Sequence, residues 1–261
     1  CISKRKFSNL LLLDLRVAGA DITALFDTGA GMTVITRSAA ERLGARMEQA
    51  TLFAGNNSGL VRRLQTAVLS DVRLGDIPVG ELRVIVTDNA DLDLRDESGA
   101  AFPAQMLLGW DVISRYRWNY SAMEDTLSVD WPKTPSAPTD PDSKLGPVVF
   151  PSYAGRPFPA RVDTGHTSST LSAVWRTRLP SVARHEAEIV GVGSARRQSV
   201  PYVRELPLLF QGRRICLRDV DISETLYGQP PEIEALLGYD FLAGGDWRLD
   251  RKFHLPDGQI S

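Results

Sequence analysis

The chain has 261 residues, 43% of them hydrophobic, and a formal net charge of −2. This length and composition predict a globular protein of one or two domains with a substantial core. The near-neutral charge argues against a nucleic-acid-binding protein, which would need a basic surface. Cys1 and Cys216 are too few for a disulfide framework. No apolar run is long enough to span a membrane, and the three histidines lack zinc-ligand spacing, so we expect no metal and no cofactor.

The N-terminal residue allows two interpretations. The chain begins at Cys1 rather than at methionine. A processed bacterial lipoprotein begins in the same way, because lipid is attached to its first cysteine. A lipid anchor at Cys1, and with it a place in the cell envelope, is therefore one possibility. A sequence boundary without biological meaning is the other, and the localisation is otherwise unknown.

The first half opens with a strand pattern that leads into a loop of small residues. Residues 10–15 and 22–26 predict two strands, and the second runs directly into Asp27, Thr28 and Gly29. An aspartate before Thr-Gly is often only a turn residue that caps its own backbone. This tripeptide alone therefore carries little functional information.

A short helix and a hairpin are predicted next. Ser38 and Glu41 match a capping box, and Gly44 suits the end of that helix. A hairpin tip rich in glycine and asparagine then follows. Its residues are Gly55, Asn56, Asn57, Ser58 and Gly59.

Two further strands and an acidic segment complete this part of the chain. Residues 68–74 and 80–87 predict the strands, and residues 88–105 predict a solvated surface loop. Its aspartates could in principle bind calcium, but they lack the spacing of an EF-hand loop. The sequence therefore favours a loop without a metal.

The second half of the chain repeats the first. Asp163-Thr164-Gly165 again follows an apolar strand. Residues 106–113 and 235–242 share the pattern Leu-Leu-Gly-aromatic-Asp, each downstream of one Asp-Thr-Gly. Internal repeats of this kind indicate duplicated structural units. Two such units predict a molecule of two lobes.

A proline-rich stretch separates the two repeats and predicts the domain boundaries. Residues 131–146 contain four prolines among Ser, Thr and Asp, which is typical of a linker. We therefore expect lobes at residues 1–130 and 147–261. Residues 118–129 and 247–255 predict hairpins, each closing its own lobe. Cys216 lies in an apolar strand pattern and is expected in the core.

The paired motifs resemble those of the aspartic peptidases, and the retropepsin-like branch more than the digestive pepsins. The resemblance implies an all-β, bacterial-type chain with two fused lobes related by a pseudo-two-fold axis. In this family the two motif aspartates meet at the lobe interface, so Asp27 and Asp163 are the expected catalytic pair. Thr28 and Thr164 would hydrogen-bond across the interface, and His166 would support the second catalytic loop.

The resemblance also implies further features of the site. Gly29 and Gly165 would permit tight turns and close backbone approach. The hairpin tips would form flaps over the substrate. The flap residues would be Gly55, Asn56, Asn57, Ser58, Gly59, Gly191 and Gly193.

The function implied is that of an aspartic endopeptidase. Two carboxylates about 3 Å apart share one proton, so one can act as a base toward water while the other acts as an acid. The expected partner is a polypeptide substrate, and a monomer suffices because both aspartates lie in one chain. The alternative is a catalytically weak or inactive peptide-binding module of the same fold. His166 keeps it open, because the family usually has Ala, Ser or Thr at this position.

Overall fold

The structure is a computed structural model. It describes residues 4–7, 10–55, 61–93, 101–124, 126–130, 146–191, 194–226, 228–243, 245–250 and 252–255. Cys1, for which a lipid anchor is one of two interpretations, lies outside these ranges, and so does nearly all of the predicted linker. The predicted domain boundaries therefore stay a prediction.

Within the described residues most of the chain is β-sheet and the helices are few and short, which confirms the predicted all-β fold. The strands are β1 (Lys4–Phe7), β2 (Leu10–Val17), β3 (Ala20–Phe26), β4 (Val34–Thr36), β5 (Arg46–Gly55), β6 (Val61–Leu74), β7 (Ile77–Thr87), β8 (Met106–Leu108), β9 (Arg117–Ser121), β10 (Thr126–Asp130), β11 (Val148–Val149), β12 (Ser152–Tyr153), β13 (Arg156–Pro157), β14 (Ala160–Val162), β15 (Thr170–Ser172), β16 (Ala183–Gly191), β17 (Ser194–Phe210), β18 (Arg213–Ser223), β19 (Ala235–Leu237), β20 (Trp247–Leu249) and β21 (Phe253–His254).

The helices of the described residues are short. They are α1 (Arg37–Arg42), α2 (Trp110–Ile113), α3 (Tyr239–Leu242) and two 3₁₀ helices, Asn89–Leu92 and Ala173–Thr177. None of them is long and apolar enough to cross a membrane.

The two halves of the chain build sheets with the same central pairings. In the first sheet, β8 lies between β3 and β4, parallel to β3 and antiparallel to β4. In the second, β19 lies between β14 and β15, parallel to β14 and antiparallel to β15. Phe26 pairs with Leu108 in the first sheet, and Val162 pairs with Leu237 in the second. The sequence repeat is thus a structural repeat, and both Asp-Thr-Gly loops leave equivalent strands.

A third sheet joins the two halves, which corrects the prediction that each closing hairpin completes its own lobe. Its strand order is β10-β9-β20-β21, and Trp247 of β20 pairs with Tyr120 of β9. Trp118 and Trp247 are buried in this sheet. Their rings lie 4.8 and 6.3 Å from the ring of Phe26. The aromatic rings of both closing strands therefore share one core beneath the first motif loop, and separate hairpins would expose them.

The helix predicted after the first motif is present, but the predicted N-cap, Ser38, is wrong. Helix α1 begins after Thr36, whose side chain accepts a hydrogen bond from the backbone N–H of Ala39. Thr36 has the extended backbone of the preceding strand, as an N-cap requires. Ser38 lies inside the helix instead. Gly44 follows the helix with φ +66°, the left-handed conformation that favours glycine.

The predicted acidic surface loop is partly an interior segment. Asp91, Leu92 and Phe102 are all buried. Leu92 and Phe102 pack with Leu107 in an apolar cluster against the central strands of the first sheet, so hydrophobic burial draws the loop inward. Residues 94–100 lie outside the described ranges.

Cys216 also departs from its prediction. It is exposed on β18, where the side chains alternate between core and solvent.

Candidate active site

Each Asp-Thr-Gly loop starts where a parallel strand pair ends. The backbone N–H of Asp27 donates to the carbonyl of Leu108 at 3.0 Å, and that of Asp163 donates to the carbonyl of Leu237 at 2.9 Å. Parallel neighbours end at the same edge of a sheet, so each aspartate is fixed beside its own Leu-Leu-Gly segment. The two aspartates thus occupy equivalent places in the two sheets.

The two threonines cross-link the loops through four reciprocal hydrogen bonds. The hydroxyl of Thr28 donates to the carbonyl of Val162 at 2.8 Å and accepts from the N–H of Thr164 at 3.1 Å. In return, the hydroxyl of Thr164 donates to the carbonyl of Phe26 at 2.7 Å and accepts from the N–H of Thr28 at 3.0 Å. Both threonines are buried. The network therefore satisfies backbone groups of both loops and fixes one loop against the other.

The aspartate of each loop lies against the glycine of the other. A Cβ atom on Gly29 would lie 2.3 Å from Cγ of Asp163, and one on Gly165 would lie 2.5 Å from Cγ of Asp27. No side chain fits at such a distance, so glycine is required at both positions by close approach. The carboxyl groups consequently lie close to each other across the interface, where the charge of Asp163 acts on Asp27.

The two carboxyl groups differ in their local hydrogen bonds. Asp27 Oδ1 accepts from the N–H groups of Gly29 and Ala30, at 2.9 and 3.1 Å. Asp163 Oδ1 accepts from the N–H of Gly165 at 3.0 Å. Burial, followed by the charge of Asp163, raises the pKa of Asp27 from 3.8 to about 8, although the two loop N–H groups oppose this shift. A proton is therefore held on the pair through neutral pH.

Each lobe also has a hydroxyl–aspartate hydrogen bond that supports its Asp-Thr-Gly loop, and the sequence did not lead us to expect these two bonds. Thr33 Oγ1 donates to Asp111 at 2.8 Å and accepts from the N–H of Gly109 at 3.1 Å. In the other lobe, Ser169 Oγ donates to Asp240 at 2.6 Å and accepts from the N–H of Gly238 at 3.0 Å. These bonds tie each catalytic loop to the segment that follows its Leu-Leu-Gly strand.

The repeated residues of the two halves could have predicted these contacts. The aspartate of Leu-Leu-Gly-aromatic-Asp recurs in both halves, and so does a hydroxyl residue six positions after each motif aspartate. Burial raises the pKa of Asp111, although its bonds from Thr33 oppose the shift.

His166 occupies the position of Ala30 in the second loop. Its backbone N–H donates to the carbonyl of Asp163 at 3.2 Å, and its own carbonyl accepts from the N–H of Tyr239 at 2.8 Å. The side chain is half-buried. The backbone thus supports the loop, while a role of the ring in tuning the pair stays a prediction.

The predicted flap tips lie mostly outside the described residues. Gly55 ends β5 opposite Val61, and Gly191 ends β16 opposite Ser194, so both hairpins are present up to their tips. The tip residues outside the description are Asn56, Asn57, Ser58, Gly59 and Gly193.

Comparison with known proteins agrees with this geometry. Residues 13–112 match the family model described as Aspartyl protease. The crystal structure of an aspartic proteinase from Irpex lacteus superposes with a TM-score of 0.55 at 10% sequence identity, covering 95% of this chain and 93% of that chain. The chain has the aspartic-peptidase fold. No curated protein matches its sequence.

The two comparisons cover different parts of the chain. The family match lies in the first lobe and includes Asp27, whereas the structural likeness extends over both lobes. The resemblance expected from the paired motifs is thus confirmed. The family match and the aspartic-peptidase fold together support a protease function.

Proposed function

We propose that the chain is an aspartic endopeptidase that hydrolyses peptide bonds with a water molecule activated between Asp27 and Asp163. The observation that carries this proposal is the packing of each aspartate against the glycine of the opposite loop. It brings two buried carboxyl groups together at the lobe interface, and the threonine network holds them there.

The proposed chemistry follows from the shared proton. The ionised carboxylate takes a proton from water as the water oxygen attacks the carbonyl carbon of the substrate. The protonated carboxyl group hydrogen-bonds the carbonyl oxygen and gives it its proton, which yields a neutral tetrahedral intermediate. The carboxyl group that took the water proton then gives it to the amide nitrogen, while the other, now ionised, takes a proton from a hydroxyl of the intermediate. The carbon–nitrogen bond breaks and leaves a carboxylic acid and an amine. The aspartates exchange acid and base roles, so the pair ends in its starting protonation state.

The pKa of Asp27 sets the expected alkaline limit of the reaction. The acid role requires one proton on the pair, and the pair loses that proton as the pH rises through about 8. We therefore expect kcat/KM to fall above this pH. The measurement is a pH–rate profile on a peptide whose own charges do not change in that range.

The proposed mechanism is tested by replacing each aspartate separately. Asp27→Asn and Asp163→Asn should each reduce kcat by at least about a thousandfold, because either change removes the acid or the base from a unit. Asp76→Asn, at an exposed turn, is the matched control and should retain full activity. Cleavage of a peptide library is followed by mass spectrometry, and circular dichroism checks folding. Full activity in either single variant would contradict the proposed pair.

The same experiment separates the endopeptidase from the peptide-binding module. A module would bind library peptides, measured by fluorescence anisotropy, and give no cleavage products at any pH. A statine-type inhibitor should suppress cleavage by the peptidase.

We further propose that one chain forms the whole site. Both aspartates and both threonines belong to the same chain, and their hydrogen bonds are intramolecular. Specific activity should therefore stay constant on dilution. A fall in specific activity, together with a dimer-to-monomer change in light scattering, would show that a second copy is needed.

A further inference from the structure

A buried arginine precedes the motif aspartate of the second lobe, where the first lobe has a leucine. Arg161 is the middle residue of β14, two positions before Asp163, and 4% of its surface is exposed. Arg161 pairs with Leu236 of β19, just as Leu25 pairs with Leu107 of β8. Arg161 therefore occupies the place that an apolar leucine occupies in the first lobe.

The hydrogen bonds of Arg161 go to uncharged groups. Its Nε donates to Gln229 Oε1 at 2.6 Å, and its Nη1 donates to the backbone carbonyl of Gly146. Burial lowers the pKa of Arg161, and the charges of Asp163 and Glu232 oppose that shift. A guanidinium nevertheless stays protonated in proteins, so the lobe contains a buried positive charge.

A buried charge is costly unless an opposite charge balances it. Glu232 is exposed, so solvent screens its charge, whereas Asp163 is buried. With one shared proton, the pair of Asp27 and Asp163 carries a single negative charge. The guanidinium and the one-proton pair together are neutral.

We propose that Arg161 is a positioning residue whose charge balances the single negative charge of the one-proton aspartate pair and thereby disfavours a second proton on that pair. This inference rests on the proposed pair. The charges that act on the guanidinium are those of Asp163 and Glu232. Asp27 lies against Gly165, two residues after Asp163, and His166 follows in the same loop.

A purely structural role for Arg161 must be separated from this proposal. A Cβ atom on Gly146 would lie 2.1 Å from the carbonyl oxygen of Thr28, so the Gly146 backbone is seated against the first-lobe loop. The bond from Arg161 holds the Gly146 carbonyl in that place. Arg161→Gln can keep a hydrogen bond there without the charge, and Arg161→Lys keeps the charge with fewer donors.

The test measures the titration of the pair directly. Aspartate carboxyl carbons labelled with ¹³C are followed by NMR against pH in the full chain and in the Gln, Lys and Leu variants of Arg161. The pair's signals are assigned from Asp27→Asn and Asp163→Asn. Because this readout needs no turnover, a chain that cleaves nothing would contradict the proposed function without deciding the role of Arg161.

The expected result is a shift in both apparent pKa values of the pair. Arg161→Gln and Arg161→Leu should raise both, by on the order of one pH unit, because a nearby cation favours ionised carboxylates. Arg161→Lys should stay close to wild type, and Leu25→Met in the first lobe should change nothing. Where the chain is active, both limbs of the pH–rate profile should move upward with the same variants.

Two outcomes would overturn the proposal. A wild-type titration in the folded Gln variant would show that Arg161 acts only through its hydrogen bonds. An unchanged titration with a raised KM confined to substrates with an acidic side chain would show instead that Arg161 binds substrate. If the Leu variant fails to fold, the Lys variant still decides the test. Raised apparent pKa values of the pair in Arg161→Lys, despite the retained charge, would also contradict the proposal.

Discussion

The two Asp-Thr-Gly loops agree in their backbone contacts and differ in their charges. Each loop has a threonine that bonds to the opposite loop, a glycine against the opposite aspartate, and a hydroxyl residue that bonds to a supporting aspartate. Ala30 and Leu25 of the first lobe, however, correspond to His166 and Arg161 of the second.

This difference separates two requirements of the site. The geometry of the pair depends on both loops equally, because each threonine and each glycine contacts the other lobe. The protonation of the pair needs only one source of charge, so one lobe can supply it. We therefore compare the same substitution at equivalent positions of the two lobes. Its effects should be equal where it alters the geometry of the pair, and unequal where it alters the charge near the pair.

The largest effect is expected from the threonine network. Thr28→Val and Thr164→Val each remove one buried hydroxyl and leave a carbonyl and an N–H without their bonds. Each variant should lose roughly 2–4 kcal/mol of unfolding free energy, since every unsatisfied buried group costs about 1–3 kcal/mol. The two losses should be similar, and kcat should fall in both. Urea denaturation measures the stability.

Two controls sharpen this prediction. Thr→Ser at either position keeps the hydroxyl and should cost much less. The double valine variant should lose less than the sum of the single losses, because the two hydroxyl oxygens lie 3.4 Å apart and also contact each other. Strictly additive losses would show that the two threonines act independently.

Much of this geometry was predictable from the sequence, because the repeat fixes equivalent places in two sheets. The duplicated Asp-Thr-Gly and Leu-Leu-Gly segments carried the family resemblance, and that resemblance implied that Asp27 and Asp163 face each other at the interface. The closing hairpins were not placed correctly, since a hairpin pattern does not specify which lobe supplies the neighbouring strand. Arg161 was missed because a single arginine in an apolar strand gives no periodic signal. Only the comparison with Leu25 shows that arginine replaces leucine at this place in the second lobe.

The segments before Leu-Leu-Gly offer a second comparison of the lobes. Asp91 is buried and ion-pairs with Arg62. In the other lobe, Glu234 pairs with Arg178, which is 40% exposed. Removing a partner from a buried pair leaves an uncompensated charge, whereas an exposed pair contributes little. Arg62→Met should therefore cost about 2 kcal/mol, and Arg178→Met less than about 1 kcal/mol.

The first of these losses should depend on pH. Burial by itself would raise the pKa of Asp91, but hydrogen bonds from Arg62 and Thr87 outweigh it and lower the pKa below 3.8. A lowered folded-state pKa contributes stability above the unfolded value, and this contribution is lost as the pH falls through the folded one. The difference between wild type and Arg62→Met should therefore shrink in acid. Equal differences at pH 7 and pH 3 would contradict this assignment.

The smallest effect is expected from His166, the other difference in charge between the loops. An imidazole gains a positive charge only in mildly acidic solution, and a cation near the pair favours its ionised form. His166→Ala should therefore move the acid limb of the kcat/KM profile upward. It should leave the alkaline limb near pH 8 in place.

The limb that moves distinguishes His166 from Arg161, which stays charged throughout and should affect both limbs. Because His166 is half-buried, solvent screens it, and its shift should be the smaller of the two. The matched substitution in the first loop, Ala30→His, should lower the acid limb if the ring position alone decides the effect. If His166→Ala leaves the profile unchanged and alters only the preference among substrates, the ring lines a substrate pocket and takes no part in the protonation of the pair.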